Sequence, residues 1–188
     1  MPTPHRTDQL VWYEPWLRLL AQMEIDSRFQ GKFSASDAVQ ETMLQAWRDW
    51  DKFRGEEEPQ RRAWLRQILA HQLAHLARHY AGTQKRDVGR EVSIDASLAQ
   101  SSMRLDQLLA AHETSPSGQA AAREQSLLLA RVLEQLPDDY RQVIIWRNLE
   151  DLPHEEVARR MNRSEGAVRM LWMRALAALR QQIQTDDL

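Results

Sequence analysis

The last third of the chain carries a pattern typical of two helices joined by a tight turn. Pro153 suits the first position of a short helix, because its missing N–H leaves nothing unpaired there. Asn162 follows, one of the few non-glycine residues that tolerate the left-handed conformation of a tight interhelical turn. Ser164 then offers a hydroxyl N-cap to a second helix. We therefore predict a helix-turn-helix from Asp151 to Ile183.

The second helix of this motif is predicted to have one buried and one outward side. Its apolar stripe recurs every three or four residues: Val168, Leu171, Trp172, Ala175, Leu176, Leu179 and Ile183. The outward side carries Gly166, Met170, Met173, Arg174 and Ala177, flanked by Arg169 and Arg180. Six arginines and one acid between residues 159 and 180 make this side cationic, as contact with phosphates requires. An ordinary helical hairpin with a solvated basic face is the alternative.

The charges of the chain are segregated although the formal net charge is only −2. Residues 60–90 hold seven Lys or Arg residues against Asp87 alone, whereas residues 134–156 hold seven acids against Arg141 and Arg147. Patches of both signs suggest that some faces meet DNA and others meet a protein partner.

Composition restricts the classes of protein that are possible. The absence of cysteine excludes disulfides, thiol catalysis and cysteine-based zinc or redox sites. No apolar run is long enough to span a bilayer, and the N-terminus lacks the apolar core of a signal peptide, so we expect a cytoplasmic protein with no membrane partner. Six glycines, few β-branched runs and abundant Leu, Ala, Gln, Arg and Glu favour an all-α fold.

The N-terminal part is predicted to begin with two helices. The first covers residues 8–30, with apolar residues Leu10, Val11, Trp12, Trp16, Leu19, Leu20 and Met23. The second begins after Ser36 as N-cap and directs Val39, Met43, Ala46, Trp47, Trp50 and Phe53 toward a core. Its outward side carries Asp37, Gln40, Glu41, Leu44 and Arg48. A lone exposed leucine is common, but one framed by acids and a glutamine can also be the centre of a small docking surface.

A third helix is predicted from about Gln60 to Tyr80. Its buried stripe consists of Trp64, Leu65, Ile68, Leu69, Leu76 and Tyr80, and its other face of Arg66, Gln67, His71, Ala74, His75 and Arg78. His71, His75 and His79 stand at i, i+4 and i+8, a spacing that could hold a metal ion. Neighbouring arginines disfavour a cation, so we favour a polar face near DNA phosphates and expect no metal and no cofactor.

The middle of the chain, from about Ala81 to Ala120, is rich in Gly, Ser, Thr, Gln and Asp, and one amphipathic piece from Leu98 to Ala111 interrupts it. A helix is predicted from about Gln119 to Leu136, followed by a shorter one whose Val143, Ile144 and Trp146 pack on the helix-turn-helix. The prediction is therefore two small helical domains, 8–90 and 119–188, joined by a flexible linker, 91–118.

Taken together, these segments resemble a known family. SDAVQETMLQAW and WLRQILAHQLAHLAR, then a linker, then LPDDYRQVIIWRNLEDLPHEEVARRM and the terminal helix-turn-helix, are similar to the extracytoplasmic-function (ECF) group of bacterial RNA polymerase sigma factors over about residues 10–90 and 120–183. The resemblance implies a protein without enzymatic activity that binds core RNA polymerase, directs it to promoters and helps open the DNA. It also implies contact with the β′ clamp helices and the β flap, and a possible anti-sigma factor.

The resemblance assigns roles to three groups of residues. The surface that docks on polymerase would comprise Asp37, Gln40, Glu41, Leu44 and Arg48. The part that reads the minus-ten promoter element would comprise Arg66, His71, His75, Arg78, Lys85 and Arg86. The part that binds the minus-thirty-five element would comprise Arg163, Ser164, Glu165, Gly166, Arg169, Met170 and Arg174. The loop from Asp51 to Pro59 is similar to the family's loop that captures a flipped base.

The chain departs from the family pattern at three places. His71 and His75 stand where Asn and Asp are usual, and Arg169-Met170-Leu171 replaces a usual Lys-Ser-Arg. Leu152-Pro153-His154 replaces the usual Ser or Thr at the start of the preceding helix. Two other functions stay open at this point: a stand-alone helix-turn-helix regulator, with a sensor or dimerisation domain as its N-terminal half, and a helical metal-dependent enzyme built on the histidines.

Overall fold

The computed structural model describes residues 6–28, 34–80, 88–110 and 119–186, and within these ranges it contains helices and turns but no strand. The prediction of an all-α fold is therefore confirmed. The helices are α1 (Arg6–Val11), α2 (Glu14–Arg28), α3 (Ala35–Asp49), α4 (Glu58–Tyr80), α5 (Val88–Ala110), α6 (Gln119–Gln135), α7 (Asp138–Ile144), α8 (His154–Met161) and α9 (Glu165–Asp186). A 3₁₀ turn, Trp50–Lys52, follows α3, and a π-helical turn, Ile145–Leu149, follows α7.

The chain divides into two compact units between Met103 and Arg104, a point within α5. The N-terminal unit contains α1 to α4 and the first part of α5, and the C-terminal unit contains the rest. This division falls inside residues 91–118, which the sequence predicts to be a linker. No helix in the described ranges is long and apolar enough to cross a bilayer.

The first predicted helix is in fact two helices. A single helix over residues 8–30 is wrong because Pro15 has no N–H to donate to the preceding turn and its ring would clash there. The chain instead turns at Trp12 and Tyr13, and α2 begins at Glu14 with Pro15 in its first turn, where proline is tolerated. Tyr13 is buried, whereas Trp12 is 48% exposed.

Helix α3 begins two residues earlier than predicted, and one of its tryptophans faces outward. Ser34, rather than Ser36, is the N-cap, and its hydroxyl accepts a hydrogen bond from the Ser36 N–H at 3.1 Å. The buried residues of α3 are Ala38, Val39, Thr42 and Ala46. Trp47, predicted to face the core, is 52% exposed. The packed stripe consists of the small side chains of Ala38, Thr42 and Ala46, one turn apart, and Trp47 lies beside it.

Helix α5 occupies most of the predicted linker. Its apolar residues Ile94 and Leu98 are fully buried, and its polar residues bond to the N-terminal unit. Ser97 donates to the Glu24 carboxylate at 2.6 Å, and Ser102 accepts from the buried guanidinium of Arg62 at 2.7 Å. A polar composition thus conceals a packed helix, because its apolar residues are buried and neighbouring polar groups have partners.

The core of α4 also differs from the predicted stripe at several positions. Leu65 and Leu69 of that stripe are fully buried, but so are Leu73, which the prediction left out, and Ala74, which it placed on the outward face. Ala74 lies between Arg66 and Arg78, whose side chains both reach α5. The outward face predicted from sequence is thus partly covered by α5.

Candidate nucleic-acid and protein interfaces

The C-terminal unit contains the predicted helix-turn-helix. Asn162 ends α8 in the left-handed conformation, with φ 52° and ψ 47°. The Asn162 N–H donates to Arg159 O at 3.2 Å and the Arg163 N–H to Ala158 O at 2.9 Å, which is the bond pattern of a Schellman motif. The Ser164 hydroxyl accepts from the Ala167 N–H at 3.2 Å and so caps α9. The predictions for Asn162 and Ser164 are confirmed, whereas Pro153 is the N-cap of α8 and not its first residue.

Helix α9 has the two sides that its periodicity predicts. Val168, Ala175 and Leu179 are buried, and the other members of the apolar stripe are half-buried: Leu171, Trp172, Leu176 and Ile183. The opposite side is solvent-exposed, and we call it the exposed face of α9: Gly166, Arg169, Met170, Met173, Arg174, Ala177 and Arg180.

Two arginines beside this face, Arg163 and Arg169, make exposed ion pairs. Arg169 pairs with Glu165 one turn earlier at 3.0 Å, and Arg163 pairs with Asp139 of α7 at 2.5 Å. Arg174 has no ion-pair or hydrogen-bond partner among the residues that the structure describes. Exposed ion pairs contribute little to stability, on the order of 0–1 kcal/mol. These guanidinium groups can therefore exchange a carboxylate for a phosphate at small cost.

An aromatic cluster holds α9 against the π-helical turn. The His154 ring contacts the Trp172 ring edge-on, with centroids 5.5 Å apart, and the Trp172 indole N–H donates to the Asn148 side-chain oxygen at 2.9 Å. The Arg147 guanidinium lies over the Trp172 ring, 5.9 Å from its centre, in a cation–π contact. Burial, together with the charges of Arg147 and Arg169, lowers the pKa of His154. The cluster fixes the direction in which α9 presents its exposed face.

On the N-terminal unit, the outward side of α3 carries an apolar centre in a polar surround. Leu44 is 41% exposed and Trp47 is 52% exposed, one turn apart on the same side of the helix. The other predicted residues of this side are also exposed: Asp37, Gln40, Glu41 and Arg48. We call these six residues the docking face. The apolar pattern of α3 predicts Trp47 in the core, whereas its i+3 spacing from Leu44 is the signal that places it on this face.

The face of α4 predicted to contact DNA is joined to α5 by ion pairs. Arg66 Nε lies 2.9 Å from Asp95 and Arg78 lies 3.3 Å from Glu91. His71 Nδ1 lies 3.5 Å from the same Glu91 carboxylate. Both arginines are mostly buried, whereas His71 and His75 are exposed. The other two predicted residues, Lys85 and Arg86, lie outside the described residues.

The loop after α3 packs on an aromatic cluster. The Phe53 ring stacks on Trp64 at a centroid distance of 4.8 Å, and Trp50 contacts Trp64 edge-on at 6.1 Å. A Cβ on Gly55 would lie 2.8 Å from Phe53 Cε2 and 2.9 Å from Gln60 Cβ, so glycine is needed for this close approach. The three aromatic residues, predicted as core, are half-buried beneath a surface loop.

The histidines of α4 are not grouped with further metal ligands in the part of the chain that the structure describes. Within the described ranges, no group of three or more His, Cys, Asp or Glu side chains is arranged to hold a metal ion. His71, His75 and His79 are all exposed on the helix surface.

Comparison with known proteins identifies both units. Residues 13–84 match the family described as Sigma-70 region 2, and residues 126–179 match Sigma-70, region 4. The chain is 29% identical to the ECF RNA polymerase sigma-E factors of Salmonella typhimurium strain LT2 and of Escherichia coli strain K12, over 84% of this chain and 78% of each relative. The corresponding factor of Haemophilus influenzae is 26% identical over 84% of this chain and 79% of its own length. The flagellar sigma/anti-sigma complex Sigma-28/FlgM aligns over 98% of this chain and 99% of that chain at 15% identity, but its TM-score of 0.34 is too low to add to the assignment.

Proposed function

Because the chain belongs to the ECF group of sigma-70 family sigma factors, which direct RNA polymerase to promoters and have no enzymatic activity, we propose that its two helical units divide this work. The C-terminal unit binds the minus-thirty-five element. The N-terminal unit binds core polymerase and contacts the minus-ten element. With polymerase and chromosome as its partners, the protein acts in the cytoplasm.

The C-terminal assignment is supported by the exposed face of α9. Helix α9 follows a three-residue turn and exposes Arg169 and Arg174 on the side away from the core, as the recognition helix of a helix-turn-helix does. Arg163 and Ser164 lie in the turn itself, and Glu165 and Gly166 in the first turn of α9, where such helices approach base edges. We therefore assign Arg163, Arg169 and Arg174 to phosphate or base contacts and the turn to backbone positioning.

The polymerase assignment is supported by the docking face of α3. Two apolar side chains, Leu44 and Trp47, are exposed side by side, and tryptophan is the residue type most enriched at the energetic centre of protein interfaces. The polar residues around them would form the rim, with Glu41 and Arg48 available for charge complementarity. We propose that this face binds the β′ clamp helices, that the C-terminal unit also contacts the β flap, and that an anti-sigma factor would inhibit by covering one of these surfaces.

For α4 to contact the minus-ten element, the ion pairs between its arginines and α5 must break. Arg66 and Arg78 must exchange the carboxylates of α5 for DNA phosphates, whereas His71 and His75 are exposed already. We propose that the loop from Asp51 to Pro59 receives an unstacked base near Phe53 and Trp64, because an aromatic surface can replace the lost stacking.

The experiment that tests this proposal is binding of the purified chain to bacterial core RNA polymerase on a sizing column. Leu44→Arg and Trp47→Arg should prevent co-migration, because each places a charge at the centre of the docking face. Val92→Arg is the matched control, since Val92 is 64% exposed on α5 and outside that face. Circular dichroism establishes that each variant is folded. Binding that survives both substitutions would show that the docking face is misplaced.

The same experiment separates the sigma factor from the stand-alone regulator. The match of residues 13–84 to sigma-70 region 2 favours the sigma factor, because a regulator would need a sensor or dimerisation domain in that half. A folded chain that binds DNA but never core polymerase would favour the regulator instead.

A further inference from the structure

We propose that Met170 and Met173 contact the 5-methyl groups of thymines in the major groove and thereby specify thymines in the minus-thirty-five element. The inference rests on the proposed assignment of the exposed face of α9 to DNA. Met170 is 52% exposed and Met173 is 61% exposed, at i and i+3 on that face. Together with Gly166 and Ala177 they form a continuous apolar row along its centre, with Arg169 and Arg174 on either side.

The two methionines are not needed to hold the fold together. Helix α9 buries Val168, Ala175 and Leu179 on its opposite side. Two large apolar side chains exposed in adjacent turns leave apolar surface in water, and contact with a partner would bury it. Methionine is unbranched and polarizable, so it adapts to irregular apolar surfaces such as the edge of a base stack.

The charge around this row indicates DNA rather than an apolar protein surface. Arg163, Arg169 and Arg174 surround it, and Glu165 is the one acid in the first turn of α9. A cationic rim attracts a polyanion and positions it through phosphate contacts. In the major groove, the thymine methyl is the apolar group that base edges present, so it is the group that an exposed methionine can select.

The backbone at the start of α9 permits the necessary approach. Gly166 precedes Met170 by one turn, and apart from its chain neighbours and the backbone of its own helix turn, no described atom lies within 4 Å of the position that a Cβ on it would occupy. At this position the helix therefore presents backbone without a side chain. A spacing of three residues is about 4.5 Å along the helix axis, and successive bases on one strand are about 3.4 Å apart. The two methionines can thus reach neighbouring bases.

The test is a cycle that combines thymine-to-uracil substitution with methionine-to-alanine substitution. The chain bound to core polymerase is first used to select the preferred minus-thirty-five sequence from a randomised DNA duplex. Each thymine in that sequence is then replaced by uracil, which removes only the methyl group. We expect about a four-fold loss of affinity at one or two positions, the value of one buried methyl-sized group. Met170→Ala or Met173→Ala should abolish that sensitivity at one position each.

The control variant is Met103→Ala, because Met103 is 56% exposed but lies on α5 in the N-terminal unit. It should keep the full uracil effect. An equal uracil effect in wild type and in both alanine variants would overturn methyl reading while leaving minus-thirty-five binding intact. Loss of core polymerase binding in the alanine variants would show that the row is a protein contact instead. Selection that yields no preferred sequence, from polymerase-bound protein, would overturn the assignment of α9 to DNA and this inference with it.

Discussion

The guanidinium group of Arg66 on α4 lies 2.9 Å from the carboxylate of Asp95 on α5. A second pair, Arg78 and Glu91, joins the same two helices at 3.3 Å. Acids of α5 thus occupy the positions that DNA phosphates would take beside these arginines. Helix α5, most of which the sequence predicts to be linker, would therefore compete with DNA for the arginines of α4.

Replacing Asp95 with Asn should strengthen binding of a single-stranded minus-ten oligonucleotide by the polymerase-bound protein. The amide keeps the size of the side chain but removes the charge that holds Arg66, so the guanidinium becomes available to a phosphate. We expect a gain of several-fold at low salt, with the slope of log affinity against log salt steeper by about 0.7 for the one added contact. Fluorescence anisotropy across a salt series measures both quantities.

The matched control for this prediction is Asp95→Asn combined with Arg66→Gln. If Arg66 makes the new contact, the double variant loses the gain. A gain that persists without Arg66 would mean that Asp95 acts by general repulsion and not through this pair.

Replacing Arg174 with Ala should weaken binding of the minus-thirty-five duplex. Arg174 is exposed and without an ion-pair partner in the described part of the chain, so its loss leaves no unpaired acid behind. A phosphate contact would appear as a salt slope reduced by about 1, and a base contact as a loss of about 1–3 kcal/mol at one position. Arg131→Ala is the control, because Arg131 is exposed on α6 of the same unit. If both variants behave alike, the exposed face of α9 is not the DNA face.

Asn162 should tolerate glycine but not alanine. Its φ of 52° places it in the left-handed region, where an ordinary side chain costs about 1–2 kcal/mol. Asn162→Ala should therefore lower the free energy of unfolding by about 1 kcal/mol, whereas Asn162→Gly should change it little. Urea denaturation followed by circular dichroism measures both. An alanine variant as stable as wild type would mean that the turn relaxes to another conformation.

Much of the C-terminal unit could be predicted from sequence because its signals are local. Asn162 and Ser164 act within a few residues, and the stripe of α9 repeats through a whole helix. The N-terminal errors have non-local causes. Trp47 is exposed because smaller residues of α3 provide the packing, and α5 is ordered because Arg62, Arg66 and Glu24 supply partners far along the chain. A single sequence read along its length does not display those pairings.

Gly55→Ala should disrupt the loop between α3 and α4. The added Cβ would lie 2.8 Å from Phe53 Cε2 and 2.9 Å from Gln60 Cβ, and such contacts force Phe53 away from its stack on Trp64. An aromatic pair contributes about 0.5–1.5 kcal/mol beyond its buried area, so we expect a lower melting temperature. The same change should weaken capture of an unstacked base in promoter opening assays.

Gly166→Ala is the matched control for Gly55→Ala. Open space surrounds the position of its Cβ, and alanine is favoured over glycine in a helix by about 1 kcal/mol. Its melting temperature should stay level or rise. Equal melting temperatures for Gly55→Ala and wild type would show that the loop moves without cost.

His154 should make the stability of the protein depend on pH. Its pKa is lowered by burial first and then by the charges of Arg147 and Arg169, against a smaller opposing effect of Glu165. The unfolded chain therefore takes up a proton at a pH, near the ordinary histidine pKa of about 6.5, where the folded chain does not. It follows that the free energy of unfolding falls as the pH drops below about 6.5 and stops falling once the folded histidine is also protonated.

The measurement is urea denaturation of the full chain at several pH values, comparing wild type with His154→Gln. Glutamine cannot take up the proton, so the variant should lose part of the decline in stability below about pH 6.5. His75→Gln is the control, because His75 is exposed on α4 of the N-terminal unit. Since His154 packs on Trp172 of α9, the same acidification should weaken minus-thirty-five binding in wild type more than in His154→Gln. Identical pH profiles for wild type and His154→Gln would show that the cluster tolerates the charged imidazole.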